Sequence, residues 1–332
     1  MAAIIGRKIL MKTYIKILLL IVILLTFGGC SSPDVDTASS TTVQDTETPI
    51  TEITSTIQPT RISSPTPQPT ETPSPTETPP AIEPESGSVR IWEQDGAEIV
   101  YVPSGIFLMG SDEDNPDADG DEYPQHEVYL DGFWIDRYEV TNQQYALCVD
   151  DDICDPPYES GTFTRDMYFN HPAYENYPVV WVNWHDANRY CEWAGKQLPT
   201  EAEWEKAARG VDGKEYPWGD EPPDETLANF GTNIGDTTEV GTYSPLGDSP
   251  YGSADMAGNV LEWVKDWYSK DYSSLLDQVE NPTGAGSSNI KAKIARGGSW
   301  IYPARRARSP FRVDRLPELR EGNIGFRCIF SY

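Results

Sequence analysis

The stretch Asp255-Met-Ala-Gly-Asn-Val-Leu-Glu-Trp263 places a carboxylate at or near each end, with a Gly-Asn turn between them and a terminal indole. This mixture suits neither a plain helix nor a plain strand, so we predict a backbone loop. Asp255 and Glu262 supply hard oxygen donors, which suit Ca²⁺ better than Zn²⁺. The loop therefore predicts a site for one hard cation. The alternative is a turn whose carboxylates accept hydrogen bonds from backbone amides.

The dense run upstream of this loop predicts two helices. Residues 184–194 carry apolar residues at helical spacing. Thr200 and Glu203 form a capping-box pattern, which begins a helix that runs through Trp204 and stops at Gly210.

Short strands and a further helix are predicted earlier in the chain. Residues 98–103 and 105–110 read as two strands around a turn, and 127–136 as another strand pair. Thr141 is an N-cap residue for a helix over 142–149. Ten Trp and 18 Tyr in so loop-rich a chain predict a core filled by aromatic packing.

The charge of the chain is strongly acidic. It has 332 residues, enough for one large or two small domains, with 53 Asp and Glu against 25 Lys and Arg. A net charge of −28 repels phosphate backbones, so we expect no nucleic-acid partner. Such a surface suits a soluble extracellular domain. The acidic run 112–122 is predicted to be a solvated surface loop, because its Gly120 does not match the EF-hand spacing.

Residues 1–29 predict a lipoprotein signal peptide. Four basic residues precede the apolar run 17–27, which is too short for a comfortable membrane span. Phe27-Gly-Gly-Cys30 then resembles a lipobox, so Cys30 is the expected lipidated residue. The predicted location is the cell envelope, extracytoplasmic, with membrane contact through the lipid anchor alone. The alternative is an uncleaved signal anchor.

Residues 30–88 predict a disordered stalk, and residues 89–332 a globular domain. The stalk is rich in Ser, Thr and Pro and has no apolar periodicity, so it has no core to offset chain entropy. Its prolines favour extended conformers and a semi-stiff spacer.

Four cysteines follow the stalk, which in an exported chain suggests two disulfides. They are Cys148, Cys154, Cys191 and Cys328. Three pairings are possible, and the sequence alone does not choose among them. A local bridge between the first two is the simplest assignment. A metal site there is the alternative, but no further Cys or His lies near in sequence.

Eight motifs occur in an order that resembles the formylglycine-generating enzyme, or sulfatase-modifying factor, family. They are Phe107-Leu-Met-Gly-Ser, Glu139-Val-Thr-Asn, Pro178-Val-Val-Trp-Val-Asn-Trp, Leu198-Pro-Thr-Glu-Ala-Glu-Trp-Glu, Pro217-Trp-Gly-Asp, Asp255-Met-Ala-Gly-Asn-Val-Leu-Glu-Trp, Arg296-Gly-Gly-Ser-Trp and Gly325-Phe-Arg-Cys. The resemblance implies an α+β fold related to C-type lectins, with little regular secondary structure and with bound calcium. It also implies a long-range disulfide between Cys191 and Cys328, which leaves Cys148 with Cys154.

The resemblance implies two structural calcium sites. The first set of ligands consists of side chains at its ends and carbonyls between them: Asp255, Gly258, Val260 and Glu262. The second set consists of two side chains and two carbonyls: Asn229 and Asp236, with Phe230 and Thr238. The first set agrees with the cation site inferred from the residues themselves. We expect the loop that carries it to lie against Arg296-Gly-Gly-Ser299.

The catalytic cysteines of the resembled family are missing. In that family a cysteine pair after the Arg-Gly-Gly-Ser motif binds copper(I) and, with dioxygen, oxidises a substrate cysteine to formylglycine. Tyr302 and Ala307 stand at the matching positions. Copper(I) needs soft donors, and neither residue supplies one. We therefore expect no copper and no formylglycine-generating activity.

A cluster of arginines follows this point in an otherwise acidic chain: Arg296, Arg305, Arg306, Arg308, Arg312, Arg315, Arg320 and Arg327. One interpretation is internal pairing with the surplus Asp and Glu, together with stacking on aromatic rings. The sharper hypothesis is a groove for an anionic or extended ligand, because guanidinium forks bind carboxylates and phosphates. The predicted groove residues are Ser299, Trp300, Tyr302, Arg305, Arg306 and Arg308.

The sequence thus favours a non-catalytic binding or interaction module on a lipid-anchored stalk. Its expected partner is a protein, peptide or glycan at the cell surface. Two alternatives stay open: a sulfatase-modifying oxidoreductase, and an accessory enzyme of other chemistry.

Overall fold

The computed structural model describes residues 83–270 and 279–331. The predicted signal peptide, the lipidation site Cys30 and nearly all of the predicted stalk lie outside the described residues. Within them, no helix is both long enough and apolar enough to cross a membrane.

The described residues form short strands and helices joined by long loops. The strands are β1 (Val89–Ile91), β2 (Glu98–Val102), β3 (Gly105–Met109), β4 (His126–Leu130), β5 (Phe133–Asp136), β6 (Leu261–Trp267), β7 (Lys293–Arg296), β8 (Val313–Arg315), β9 (Ile324–Gly325) and β10 (Ile329–Ser331). The α-helices are α1 (Asn142–Asp150), α2 (Trp184–Trp193) and α3 (Glu201–Arg209). Two 3₁₀ turns span Pro172–Tyr174 and Ala304–Arg306.

The strands assemble into two four-stranded sheets and a hairpin. One sheet has the order β1-β2-β5-β10, the hairpin pairs β3 with β4, and the other sheet has the order β8-β7-β6-β9. The first sheet joins the two ends of the domain, because Ile135 in β5 pairs with both Val100 and Ile329. In the second sheet β6 is central, and Glu262 pairs with Arg296 on one side and Gly325 on the other.

The predicted helix starts are confirmed by their caps. Thr200 N–H donates to Glu203 Oε2 at 2.7 Å, and Glu203 N–H donates to Thr200 Oγ1 at 3.2 Å. Thr141 caps α1 through the same reciprocal bonds with Gln144. Each cap satisfies two amides that the first turn of a helix leaves without partners.

Large aromatic side chains fill much of the core, as predicted. Trp204 and Trp263 are fully buried, one in each of the two main apolar clusters. Tyr145 and Tyr190 stack with ring centroids 5.6 Å apart and bring α1 onto α2. Regular elements this short reach native packing density by filling the space between them with large rings.

Both disulfides are present, and the pairing implied by the resemblance is confirmed. The local disulfide joins Cys148 to Cys154, and the long-range disulfide joins Cys191 to Cys328, 137 residues apart. The long-range disulfide connects α2 to the segment just before β10 and so closes the domain.

One boundary differs from the sequence-based prediction. We expected a loop through Trp263, whereas the chain leaves the loop after Val260 and enters β6 at Leu261. The strand forms because β7 and β9 pair with it on both sides. Those partners lie far along the chain, so the local pattern of residues does not reveal them.

Candidate functional site

The 255–260 loop lies against the segment after β7, as predicted. Gly258 N–H donates to Gly297 O at 2.8 Å, and Trp300 N–H donates to Asn259 O at 2.9 Å. Two backbone hydrogen bonds therefore join the loop to the Arg-Gly-Gly-Ser-Trp motif.

A second segment packs closely on the other side of the loop. Asn259 N–H donates to Asn229 O at 2.9 Å. Gly258 has a φ of 82°, and a Cβ built on it would lie 2.3 Å from the same carbonyl oxygen. Only glycine allows both this backbone conformation and this approach. The loop thus brings together the three segments that carry the predicted site residues.

Glu262 forms a fully buried ion pair at the start of β6. Arg327 Nε lies 2.7 Å from Oε2, and Arg327 Nη2 lies 2.8 Å from Oε1. Trp204 Nε1–H also donates to Oε2 at 2.8 Å. Both oxygens of this predicted calcium ligand are thus engaged by protein donors.

Two more buried carboxylates adjoin this pair. Asp255 Oδ2 accepts from Gly241 N–H at 2.6 Å. Glu139 accepts from Asn259 Nδ2–H at 2.6 Å and from Val260 N–H at 3.1 Å. Glu139 begins the motif Glu139-Val-Thr-Asn, but no pattern in the sequence indicates that it lies beside Asp255 and Glu262.

The local charge balance is negative. Glu139, Asp255 and Glu262 bring three carboxylates to one guanidinium, that of Arg327. Burial raises the pKa of Asp255 to about 6, and burial together with its acidic neighbours raises the pKa of Glu139 well above its usual range. This surplus of buried hard oxygens fits a divalent cation in charge. Since Glu262 is engaged by Arg327, Asp255 and the carbonyls of Gly258 and Val260 would be the main ligands.

The second predicted ligand set does not fit calcium. Asp236 Oδ2 accepts from Thr162 Oγ1–H and Thr164 Oγ1–H, both at 2.6 Å, and from Thr164 N–H at 2.9 Å. Its Oδ1 accepts from Thr237 N–H at 2.8 Å and lies 3.1 Å from Arg165 Nη1. A carboxylate has about four lone-pair positions, so five donors leave none for a metal.

The other members of that set are also held by the protein, with one exception. The carbonyl oxygen of Thr238 accepts from Asn259 Nδ2–H at 3.5 Å, and Asn229 Nδ2–H donates to Asp236 O at 2.9 Å. Asn229 Oδ1 is buried and has no hydrogen-bond partner among the described residues. The carbonyl oxygen of Phe230 accepts from Asn233 N–H at 3.2 Å, and its ring packs against the small cluster around Tyr216. No group of three or more His, Cys, Asp or Glu side chains in 83–270 and 279–331 is arranged to hold a metal ion.

Six of the eight clustered arginines pair with carboxylates inside the domain, which confirms internal pairing for these six. The pairs are Arg296 with Glu201 and Glu205, Arg308 with Glu122 and Glu215, Arg312 with Glu201, Arg315 with Glu321, Arg320 with Asp186, and Arg327 with Glu262.

Arg308 and Ser299, two of the predicted groove residues, are buried inside the domain. The guanidinium of Arg308 donates one hydrogen bond to each carboxylate oxygen of Glu122, both at 2.7 Å. Ser299 is buried and accepts from Asn323 Nδ2–H at 3.0 Å. The guanidinium of Arg308 pairs inward because Glu122, at the end of the acidic run, is itself fully buried.

Arg305 and Arg306 differ from the other six. Arg305 is exposed, and its nearest carboxylate oxygen, on Asp119, is 3.8 Å away. Arg306 stacks over Tyr302 at 4.9 Å and Phe311 at 5.5 Å. Within the described residues it makes no ion pair, and its Nε has no hydrogen-bond partner. Two cationic groups are thus available on a short 3₁₀ turn.

Aromatic and apolar residues border these arginines. Trp300 is buried, with an Nε1–H that has no partner among the described residues, and Phe163 meets it edge-on at 5.1 Å. Phe163 is 50% exposed and Ile301 is 41% exposed. Tyr302 is half-buried, and its hydroxyl accepts from Arg315 Nη2–H. Phe163, Trp300, Tyr302, Arg305 and Arg306 are called the 302–306 surface below.

Comparison with known proteins identifies the family. Residues 87–332 match the sulfatase-modifying factor enzyme 1-like domain. The chain belongs to this family. Its α+β fold with little regular secondary structure is the fold of that family, and PvdO from Pseudomonas aeruginosa is a solved neighbour. The TM-score is 0.61 at 27% identity, with 75% of this chain and 100% of that chain covered.

Relatives with different names share the domain. The formylglycine-generating enzyme of Mus musculus is 31% identical over 284 residues, which is 70% of this chain and 74% of that protein. The serine/threonine-protein kinase pkn1 of Chlamydia caviae is 36% identical over 251 residues, covering 70% of this chain and 37% of that protein. The chain therefore spans well under half the length of the kinase.

In this member of the sulfatase-modifying factor family, neither position that matches the catalytic pair carries sulfur. Ala307 is 2% exposed and packs in a cluster with Tyr216 and Ala257. Tyr302 directs its hydroxyl to Arg315. All four cysteines in the described residues are in disulfides. No thiolate in this part of the chain is available to bind copper(I).

A cavity of about 800 Å³ lies away from the 302–306 surface. Tyr101, Asp131, Glu203 and Lys265 are among the residues that line it. Glu203 is held by its capping box with Thr200, and burial raises its pKa. None of the residues predicted for the groove or for calcium lines this cavity.

Proposed function

We propose that this protein is a non-catalytic member of its family that binds an anionic partner through the 302–306 surface. The partner is an acidic protein or peptide segment, or an anionic glycan, at the cell surface. The observation that carries this proposal is the pairing of the arginines. Six of eight are satisfied inside the domain, whereas Arg306 has no carboxylate and Arg305 only a distant one.

The charge of the chain makes that observation informative. At a net charge of −28, acidic groups are abundant, so an unpaired arginine is not explained by a shortage of partners. The guanidinium of Arg306 lies over two aromatic rings with its Nε buried, so its Nη groups are the ones that would bind a ligand. Exposed Phe163 and Ile301 add apolar contact area beside the charge.

Binding is tested by the double variant Arg305→Ala/Arg306→Ala. The intact chain, labelled, is applied to arrays of acidic and neutral peptides and of sulfated and neutral glycans, and hits are measured by biolayer interferometry. We expect the double variant to lose at least tenfold in affinity, while the lost stacking of Arg306 lowers its melting temperature by no more than about 4 °C.

The matched control is Arg189→Ala, another exposed arginine with a carboxylate partner, Asp155 at 3.0 Å. It should bind as the wild type does. Equal binding by the double variant and the control would end this proposal.

The second candidate function is the family's oxidation of a substrate cysteine to formylglycine, as the name of the Mus musculus relative indicates. The loss of both sulfur ligands at Tyr302 and Ala307 argues against it. Copper loading, followed by mass spectrometry of a Cys-x-Pro-x-Arg peptide, tests it. Detectable formylglycine would establish that function. If the protein is instead an accessory enzyme of other chemistry, a ligand on the array should be chemically converted and not simply bound.

We also propose a single structural calcium ion held mainly by Asp255 and the carbonyls of Gly258 and Val260, beside Glu262 in its ion pair with Arg327. The surplus of buried carboxylates over Arg327 supports it. Chelator should then lower the melting temperature, and an unchanged melting curve would return the loop to an ordinary hydrogen-bonded turn.

For location, we propose lipid anchoring of Cys30 in the cell envelope. Two disulfides support an oxidising, extracytoplasmic compartment. Cys30→Ser should release the protein from membranes into the soluble fraction, and membrane retention of that variant would contradict the anchor.

A further inference from the structure

We infer that the guanidinium of Arg165 replaces the second calcium ion that the family resemblance implies. Arg165 is the cation that pairs with Asp236. It also fixes the position of the loop that contains Phe163, which is part of the 302–306 surface. This inference concerns metal content and stability, and it does not depend on the proposed binding function.

Arg165 reaches the oxygen atoms that a hard cation would use. Its Nη1 lies 3.1 Å from Asp236 Oδ1 and donates to Thr237 Oγ1 at 3.0 Å, and its Nη2 donates to Thr237 O at 2.8 Å. One carboxylate, one hydroxyl and one carbonyl thus face a single positive group. Both side chains are largely buried, with 15% of Arg165 and 2% of Asp236 exposed.

Three tyrosines enclose the same guanidinium. Its Cζ lies 5.5 Å from the ring centroid of Tyr168 and 4.9 Å from those of Tyr174 and Tyr177. Ring faces attract a weakly hydrated, planar cation such as guanidinium. Calcium, in contrast, requires six to eight oxygen ligands, which ring faces do not provide. The environment of this position is therefore suited to arginine.

The oxygen atoms that remain beside Arg165 are too few to bind calcium. Asp236 already receives five donors across its two oxygens. Asn229 Oδ1 is the one side-chain acceptor of the predicted set without a partner among the described residues. That amide oxygen and the carbonyls of Phe230 and Thr238, which already accept hydrogen bonds, do not reach the six to eight ligands of a calcium site without an available carboxylate.

Arg165 also connects this charge pair to the binding surface. Its own carbonyl accepts from Thr162 N–H at 2.8 Å, which closes a tight turn around Phe163. Phe163 then meets Trp300 edge-on at 5.1 Å. Arg165 is thus a positioning residue for one wall of the 302–306 surface.

Metal content is tested by native mass spectrometry of the intact chain in calcium, for wild type and Asp236→Asn. We expect the same number of bound calcium ions in both, because Asp236 is not a ligand. Loss of one calcium ion in Asp236→Asn would overturn the inference. Calcium at the 255–262 loop would be present or absent equally in both proteins. A missing calcium ion at that loop would therefore not be mistaken for a result against the role of Arg165.

The role of Arg165 is tested by thermal unfolding in chelator. Arg165→Ala leaves Asp236 buried without its cation and should lower the melting temperature by at least about 5 °C. Arg165→Lys keeps the charge and should lose less, which provides a folded comparison if the alanine variant does not fold. Arg189→Ala, an exposed arginine, should not change the melting temperature. An Arg165→Ala curve that coincides with wild type in chelator would overturn the role of Arg165.

Discussion

Glu262→Gln should destabilise the domain whether or not calcium is present. The substitution leaves Arg327 buried opposite an amide, where wild type has bonds of 2.7 and 2.8 Å to both carboxylate oxygens. Neither side chain of this pair is exposed. Removing one partner of a buried ion pair costs about 3–5 kcal/mol. Glu139 and Asp255 stay near Arg327 and partly compensate it, so we expect about 3 kcal/mol.

For a domain of this size that loss corresponds to a fall in melting temperature of about 6–12 °C. Circular dichroism melts of the intact chain, each recorded in calcium and in chelator, measure it. Glu192→Gln, at an exposed glutamate whose carboxylate accepts from Asn188 Nδ2–H, is the matched control and should melt with the wild type.

The two sources of stability are separated by the chelator. If Glu262 acts mainly through Arg327, the loss persists when calcium is removed. If it acts only as a calcium ligand, wild type and variant should melt together in chelator, and that result would refute the ion-pair argument. The double variant Glu262→Gln/Arg327→Met should recover part of the loss, because it no longer buries an unpaired charge.

Three further predictions follow from particular contacts. Gly258→Ala should lower the free energy of unfolding by at least about 2 kcal/mol more than Gly235→Ala. Both glycines have a φ of 82°, but only a Cβ at position 258 would meet a backbone oxygen, at 2.3 Å. Urea unfolding measures both variants, and equal losses would contradict the close approach. Burial raises the pKa of Asp266 to about 7, so its contribution to stability is present below about pH 4 and is lost as pH rises through 7. The free energy of unfolding should therefore fall less steeply between pH 4 and 8 in Asp266→Asn than in the wild type. Identical slopes in the two proteins would contradict the raised pKa of Asp266. Opening the long-range disulfide by paired alanine substitution should cost about 5 kcal/mol against about 2 for the local disulfide, as loop entropy predicts, and the reverse order in urea unfolding would contradict this.

Local patterns in the sequence predicted the local elements well. The capping box at Thr200 and the cap at Thr141 depend only on residues three positions apart, and both are present. The early strands 98–103 and 105–110 also match β2 and β3. The motif order identified the family and, through it, the long-range disulfide.

Side-chain pairing over long distances was not predictable in the same way. Nothing near Arg308 in sequence indicates that its partner is Glu122, 186 residues earlier. The acidic run that ends at Glu122 was predicted to be solvated, and most of it is, but this last residue is fully buried. Arg165 gave no signal either, because its partner Asp236 and its tyrosine cage come together only in the fold.

The arrangement of positive charge separates scaffold from function in this chain. A buried arginine must have a carboxylate, because an unpaired charge in the interior costs several kcal/mol, so Arg296, Arg312 and Arg327 are explained by stability alone. An exposed arginine pays no such penalty, and pairing at the surface contributes little. Stability therefore gives no reason for Arg305 to be arginine, and for half-buried Arg306 it gives only the stacking over Tyr302 and Phe311. Their place beside the altered catalytic positions, next to exposed apolar side chains, is explained most simply by a ligand that bears negative charge.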